Sequence, residues 1–268
     1  MTDRIGFIGF GEVTACLLKG MTADGYEGPA FVCAAHPDAA RERAKAFSCV
    51  TVCDSVSALL SETENVIVAV PGKADKAMFE GIAKGDLAGR FFMDISTALP
   101  NEKKEIAATV AAGGGGYVDA AVMGSVPKLL QKTPIMISGP NASKMLDLLE
   151  KYGFSLEVCG DEVGVASTVK LCRSIFMKGL PALYLEAKRT CEHYGVAERV
   201  FASVERNLTG QNMQSFLTIL LNGAYKHTER QTDELRECLE MEKDAGVDPK
   251  MTEAAIRVFE SIREEKNR

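Results

Sequence analysis

Residues 5–21, Ile5-Gly-Phe-Ile-Gly9-Phe-Gly11-Glu-Val-Thr14-Ala-Cys-Leu17-Leu18-Lys-Gly-Met21, constrain the fold more than any other stretch of this chain. Ile5, Phe7 and Ile8 form a short apolar run of the kind a strand buried on both faces requires. A glycine turn follows at once, and then Leu17, Leu18 and Met21 recur at helical spacing. Strand, tight turn and helix in this order open a βαβ unit suited to a dinucleotide. Gly9 permits the turn, Gly11 lets the backbone approach a pyrophosphate, and the helix N-terminus offers free N–H groups and a positive dipole end. Gly9, Phe10, Gly11, Glu12, Val13 and Thr14 are therefore candidate cofactor contacts. Thr14 occupies the slot where this fingerprint carries a third glycine, so the match is imperfect.

Further apolar runs continue the pattern. Ala30–Ala34, Val50–Cys53, Asn65–Val70 and Phe91–Thr97 read as strands two to five, with Tyr117–Val122, Pro134–Ser138 and Ser155–Cys159 after them. The second strand ends Ala34-Ala35-His36-Pro37, without the acidic residue that usually accepts the ribose hydroxyls of NAD. Asp38 follows the proline as the cap of a helix over Ala39–Phe47. His36, Arg41 and Arg43 are placed to meet a 2′-phosphate, which leans the reading toward NADP over NAD, although a solvated helix face explains either arginine equally well. Val70-Pro71-Gly72 ends strand four with a turn on the side where cofactors lie, and Ser96 and Thr97 end strand five. Gly113–Gly116 reads as a turn, and Ala142–Lys151 as a helix.

From Asp161 the strand pattern stops. Val163–Tyr194 reads as one long helix that tolerates Gly179 and Pro181, with a kink expected there. Helices follow at Ala197–Leu208, Gln211–Leu220, Ala224–Ala245 and Pro249–Glu265, the last started by Asp248-Pro249. The charged tail Arg263–Arg268 is expected to fray. The fold class is thus α/β: a Rossmann-type dinucleotide-binding domain over 1–160, then an all-helical substrate and dimerisation domain over 161–268.

Composition narrows the partners. A net charge of −6 argues against nucleic acid, whose phosphates want a basic surface. No apolar run is long enough for a membrane span, and no secretory signal precedes the first strand. Eight cysteines without a Cys-x-x-Cys pair, and only three histidines, point to free thiols in a cytoplasmic protein with no metal site.

Lys170 stands inside the apolar run Val165-Ala-Ser-Thr-Val169…Leu171…Ile175-Phe176, with Arg173, Ser174 and Lys178 at helical spacing from it. Burying an ammonium is costly, so the lysine needs a reason. Either it snorkels at a domain seam, or it is an acid/base group at a nicotinamide cleft. Arg173 and Lys178 are candidates for a second substrate anion, or for salt bridges to Asp161, Glu162 or a partner subunit.

The order of these motifs resembles the β-hydroxyacid dehydrogenases, the group of 3-hydroxyisobutyrate dehydrogenase and of the NAD-binding part of 6-phosphogluconate dehydrogenase. Phe7-Ile-Gly-Phe-Gly11 is similar to the family's opening fingerprint, and Asp94-Ile-Ser-Thr-Ala-Leu-Pro100 to its Asp-x-Ser-Thr-x-x-Pro segment, whose serine helps bind the substrate carboxylate. Asp119-Ala-Ala-Val-Met-Gly124-Ser125 is similar to its Asp-Ala-Pro-Val-Ser-Gly-Gly substrate loop. Gly164-Val-Ala-Ser-Thr-Val-Lys170 is similar to its Gly-x-x-x-x-x-Lys helix, whose lysine is the catalytic acid/base. The resemblance implies substrate contacts at Ser96, Met123, Gly124, Ser125, Arg173, Ser174 and Lys178, cofactor contacts at Val70, Pro71 and Thr97, and catalysis by Lys170. Departures lie at Met123, which replaces a serine, at Ser125, which replaces a glycine, and at Arg173-Ser174, which replace two asparagines. The expectation is an NAD(P)-dependent dehydrogenase of a small 3-hydroxy acid, acting as a homodimer completed across apolar segments such as Phe216–Leu221. An imine reductase on the same scaffold, usually without this lysine, and a non-catalytic nucleotide sensor are the competing expectations.

Overall fold

The computed structural model describes residues 4–266. Its contacts divide the chain into two compact units, with the division after Arg173.

The first unit is built on one eight-stranded sheet in the order β3-β2-β1-β4-β5-β6-β7-β8. The strands are β1 (Ile5–Ile8), β2 (Ala30–Cys33), β3 (Val50–Val52), β4 (Asn65–Val68), β5 (Phe91–Asp94), β6 (Gly116–Val122), β7 (Ile135–Ser138) and β8 (Leu156–Gly160). Pairing is parallel from β3 across to β6; β7 then runs antiparallel to β6, and β8 parallel to β7. Parallel neighbours cannot be joined by a hairpin, so helices cross between them: α1 (Glu12–Ala23), α2 (Pro37–Ala44), α3 (Val56–Glu62), α4 (Gly72–Ile82) and α5 (Pro100–Ala112). The short α6 (Val126–Leu129) and α7 (Ala142–Leu149) follow.

Alternation along β1 divides the core in two. Ile5 and Phe7 pack with Leu17, Leu18 and Met21 of α1 in one buried cluster, while Ile8 belongs to another with Leu59, Val66, Phe79, Phe92, Ile106 and Val110. A strand covered on both faces has to be apolar on both, which is why these strands read as continuous runs. Strand order reverses between β1 and β4, and the crevice at such a switch point is where open α/β sheets bind ligands.

Several expected boundaries shift. Helix α2 starts at Pro37, not Ala39, because proline suits the first helical position. Asp38 therefore lies in the first turn, not at the cap. Strands two to five end one to three residues early, since the chain leaves the sheet to form the crevice. Gly116 is strand, not turn, and the Phe91 ring of its β5 partner fills the space a side chain would need.

Helix α8 (Val165–His193) runs through the division and carries Pro181 in its interior. The second unit contains its later part, then α9 (Ala197–Leu208), α10 (Met213–Lys226), α11 (Thr228–Asp244) and α12 (Lys250–Lys266). Helix α10 runs six residues past the expected end. Helix α12 begins where the Asp248-Pro249 signal puts it, but the buried carboxylate of Glu186 accepts its Met251 and Thr252 N–H groups, both at 2.8 Å. Such a cap from a distant residue satisfies donors that every helix start leaves free. The tail is helical through Lys266, against the expected fraying; Asn267 and Arg268 lie outside the described residues, as do Met1–Asp3. Among the described residues no helix is long and apolar enough to cross a membrane.

Candidate active site

Two cavities meet at the C-terminal ends of β1 and β4, and both belong to the first unit. The larger, about 790 Å³, is lined by Gly9, Phe10, Gly11, Cys33, His36 and Arg43 among others; the smaller, about 550 Å³, by Val13, Ser96, Thr97, Gly124, Ser125 and Lys170. Ala69, Val70 and Pro71 line both, so the two form one groove.

The larger cavity has the features a dinucleotide needs. Gly9 has φ +95°, and a Cβ there would fall 2.3 Å from the Ala69 carbonyl oxygen, so only glycine fits. A Cβ at Gly11 would meet nothing within 4 Å; it faces open space, where a phosphate can approach. No side chain caps α1, so its first N–H groups remain available to an anion. Thr14 is fully buried, and its hydroxyl donates to the Gly9 carbonyl oxygen at 2.8 Å. The residue that fits the fingerprint worst thus braces the turn.

At the far end of this cavity the two candidate arginines part. Arg41 is turned to Asp38 (3.0 Å) and Asp54 (2.7 Å) and is not on the wall. Arg43 is on the wall, with its guanidinium over the Phe10 ring and donating to the Phe10 carbonyl oxygen. No acidic side chain among the described residues lines this cavity.

In the smaller cavity, Lys170 Nζ donates to Thr97 Oγ1 at 2.9 Å. The lysine is aimed by the start of α8, where buried Asp119 accepts the Gly164 N–H (3.1 Å), the Ser167 N–H (3.0 Å) and the Ser167 hydroxyl (2.6 Å). A carboxylate at a helix N-terminus satisfies free donors and the dipole together. Gly124 and Ser125 line the same cavity, and their N–H groups donate to nothing among the described residues, leaving two donors for an anion. This loop is held to α1 by Gln131 and Lys132, each 2.9 Å from an Asp24 oxygen. Gly72 lets α4 approach so closely that a Cβ would lie 2.0 Å from the Thr97 carbonyl oxygen.

The other sequence candidates divide between the two units. Glu12 is exposed, the Met123 side chain does not line the groove, and Arg173 is the last residue of the first unit. Ser174 and Lys178 belong to the second unit. Glu12, Met123 and Arg173 line neither cavity. Residues the sequence reading lacked are Asp75, Lys103 and Tyr117, which with Asp94 surround Ser96 below the groove. Lys103 had left a signal, since it shares the stripe of Ile106 and Val110 on α5. No group of three or more His, Cys, Asp or Glu among the described residues could hold a metal ion.

Comparison with known proteins agrees with this geometry. Residues 4–160 match the family model described as the NAD binding domain of 6-phosphogluconate dehydrogenase, and residues 192–262 match a domain of unknown function, DUF1932. A 28.5 kDa protein from the 7S RNA 5′ region of Methanothermus fervidus is 28% identical, over 97% of this chain and 99% of its own. The mitochondrial 3-hydroxyisobutyrate dehydrogenase of Drosophila melanogaster is 28% identical over 78% of this chain but 64% of its own length; for the mouse enzyme that last share is 52%. A solved protein described as structurally similar to 3-hydroxyacid dehydrogenases aligns with TM-score 0.66 at 27% identity, over 98% of both chains. An imine reductase from Aspergillus terreus, solved with NADPH4, shares the fold with TM-score 0.81 at 18% identity, over 99% of this chain and 95% of its own. With the family model covering more than half of it, the chain belongs to the family described as the NAD binding domain of 6-phosphogluconate dehydrogenase.

Proposed function

We propose that this protein is an NAD(P)-dependent oxidoreductase that interconverts a small 3-hydroxy acid and its oxo acid, with Lys170 as the acid/base. The observation that carries the reading is Lys170 held 2.9 Å from Thr97 in a cleft continuous with the dinucleotide groove. When bound there, a nicotinamide cofactor supplies hydride transfer at carbon. The chain's own residues do the rest. Gly124 and Ser125 N–H groups hold the substrate carboxylate, fixing which carbon faces the cofactor. Lys170 takes the hydroxyl proton during oxidation and returns it during reduction, while Thr97 fixes the direction of its Nζ.

Gly9, Gly11 and the start of α1 hold the pyrophosphate. Arg43 and His36, on a wall with no carboxylate, favour a 2′-phosphate and hence NADP, a reading that moves the burden from Arg41 to Arg43. Free thiols at all eight cysteines suit a reducing, cytoplasmic setting, and the exposed apolar helices of the second unit suit a homodimer.

The test is a screen of hydroxy acids, their phosphates and cyclic imines with both cofactors, followed by Lys170→Ala. Turnover should fall at least about a hundredfold while cofactor binding stays near normal. Undiminished turnover in that variant removes the mechanism, and imine-only activity replaces the substrate class. NADPH should bind more tightly than NADH, and Arg43→Ala should narrow the gap; a clear NADH preference overturns the assignment of that wall.

A further inference from the structure

Below the cleft lies a cluster of ionisable groups that the proposed reaction does not use. Asp75 on α4, Asp94 at the end of β5 and Lys103 on α5 are each 0% exposed. Two carboxyl groups share one ammonium, so ionising both would leave an unbalanced charge away from water, which is costly. Their partners are unequal. Asp94 accepts the Ser96 N–H at 2.9 Å, the Tyr117 hydroxyl at 2.5 Å and the Lys103 ammonium. Asp75 Oδ2 accepts the Ser96 hydroxyl, at 2.5 Å, with Lys103 Nζ at 3.5 Å; its carboxyl lies within hydrogen-bond reach of Asp94, and its Oδ1 has no donor among the described residues. A proton on Asp75 therefore removes the excess charge at least cost.

Ser96 links this cluster to the cleft, whose wall it shares with Lys170. Its Oγ accepts from Lys103 at 2.8 Å and gives its single hydrogen to Asp75. In that state no hydrogen is left for a carboxylate in the cleft. With a proton on Asp75 the short contact reverses: Asp75 donates, Ser96 Oγ fills both lone pairs from Asp75 and Lys103, and its own hydrogen is free to turn outward. We propose that Asp75 is a positioning residue that sets the donor direction of Ser96, so that a carboxylate binds in the cleft together with one proton taken from solvent onto Asp75. The inference rests on the hydroxy-acid reading for the kind of ligand it serves.

The groups that face Asp75 favour this. Asp94 reaches it from β5, Lys103 from α5, and Tyr117 from β6, beyond which lies Asp119. On α4 itself Lys76 is drawn to the surface by Glu105 at 2.6 Å, with Glu80 nearby. Burial first, then the Asp94 charge and a hydrogen bond to the Asp94 carboxylate, push the Asp75 carboxyl up to about 7 against the pull of Lys103 and Ser96. Burial and the charge of Asp94 also hold the Tyr117 hydroxyl well above its ordinary range, so it stays a donor.

The experiment is titration calorimetry on the full chain, saturated with NADP⁺, using propionate, a carboxylate with no hydroxyl to oxidise, as probe across pH 6 to 9 in buffers of differing ionisation enthalpy. Affinity should weaken about tenfold per pH unit above about 7, with about one proton taken up per probe bound at pH 8. Asp75→Asn, whose amide donates to Ser96 at every pH, should give a flat profile at the tight value, and Ser96→Ala a flat profile at the weak one. Infrared spectra of the ligand-free wild type should show a protonated-carboxyl band that titrates near neutrality. This measurement stands even if Asp75→Asn does not fold. A wild-type profile without slope, a slope kept in Asp75→Asn, or absence of the band overturns the proposal. Proton-linked binding without turnover leaves it standing while the dehydrogenase reading fails; turnover without the linkage does the reverse, and no binding at pH 6 sinks both.

Discussion

Asp75 occupies a position that resists a charge, and this should be visible in stability as well as in binding. Its folded-state carboxyl is raised above the ordinary value by burial and by Asp94. Between about pH 4 and about pH 7 the folded protein therefore holds a proton that the unfolded chain has lost. Stability falls with rising pH across that window, by at most about 1.4 kcal/mol per unit from this group, and the loss is complete above it. Asp75→Asn should flatten the profile and leave the variant more stable than the parent at pH 8 in thermal melts. A parent whose melting temperature is level across this window would show that Asp75 is ionised throughout. Little of this was legible beforehand. Lys103 could be suspected from its place on an apolar stripe, but Asp75 stands 19 residues before Asp94 in an ordinary-looking helix, and only the closeness of α4 to the Thr97 backbone at Gly72 brings them together.

Among the elements, β1, the glycine turn and α1 act as one device, because each is defined by the next. The turn needs a positive φ at Gly9 and contact with Ala69 just past β4, so a side chain there strains the backbone and pushes the two central strands apart. Gly9→Ala should weaken cofactor binding at least about tenfold and lower stability by about 1–3 kcal/mol, measured by cofactor titration and urea unfolding. Normal binding would mean that the pyrophosphate does not lie on this turn. Strands were the legible elements, since burial on both faces writes itself as an unbroken apolar run. The crossover helices α3, α4 and α5 were not read, being half-solvated, although parallel pairing required something in their place. The reversal of β7 was not legible at all: the segment that leads into it is held through Gln131 and Lys132 to Asp24, more than a hundred residues earlier.

On the scale of the whole molecule, the second unit is the part that its own chain leaves unfinished. Helix α10 is apolar around most of its circumference: Leu217, Leu220 and Leu221 lie on one side and Ile219, 60% exposed, on another. A helix hydrophobic all round belongs in an interior. On α9, Val200 and Val204 are exposed at one-turn spacing as well. Exposed apolar side chains on two helices are what an interface between copies would cover, and a second copy is the partner that every chain has at hand. A pair of such units sharing this surface would be an obligate dimer, whose stability depends on protein concentration. Light scattering should give twice the chain mass at micromolar concentration, with a melting temperature that rises on concentrating the sample. Placing charge on one side of α10 with Leu217→Glu and Leu221→Glu together should yield monomer of lower stability, because each carboxylate would otherwise be buried without a partner. A wild-type chain that stays monomeric and soluble across that range would leave the apolar helices to a different protein.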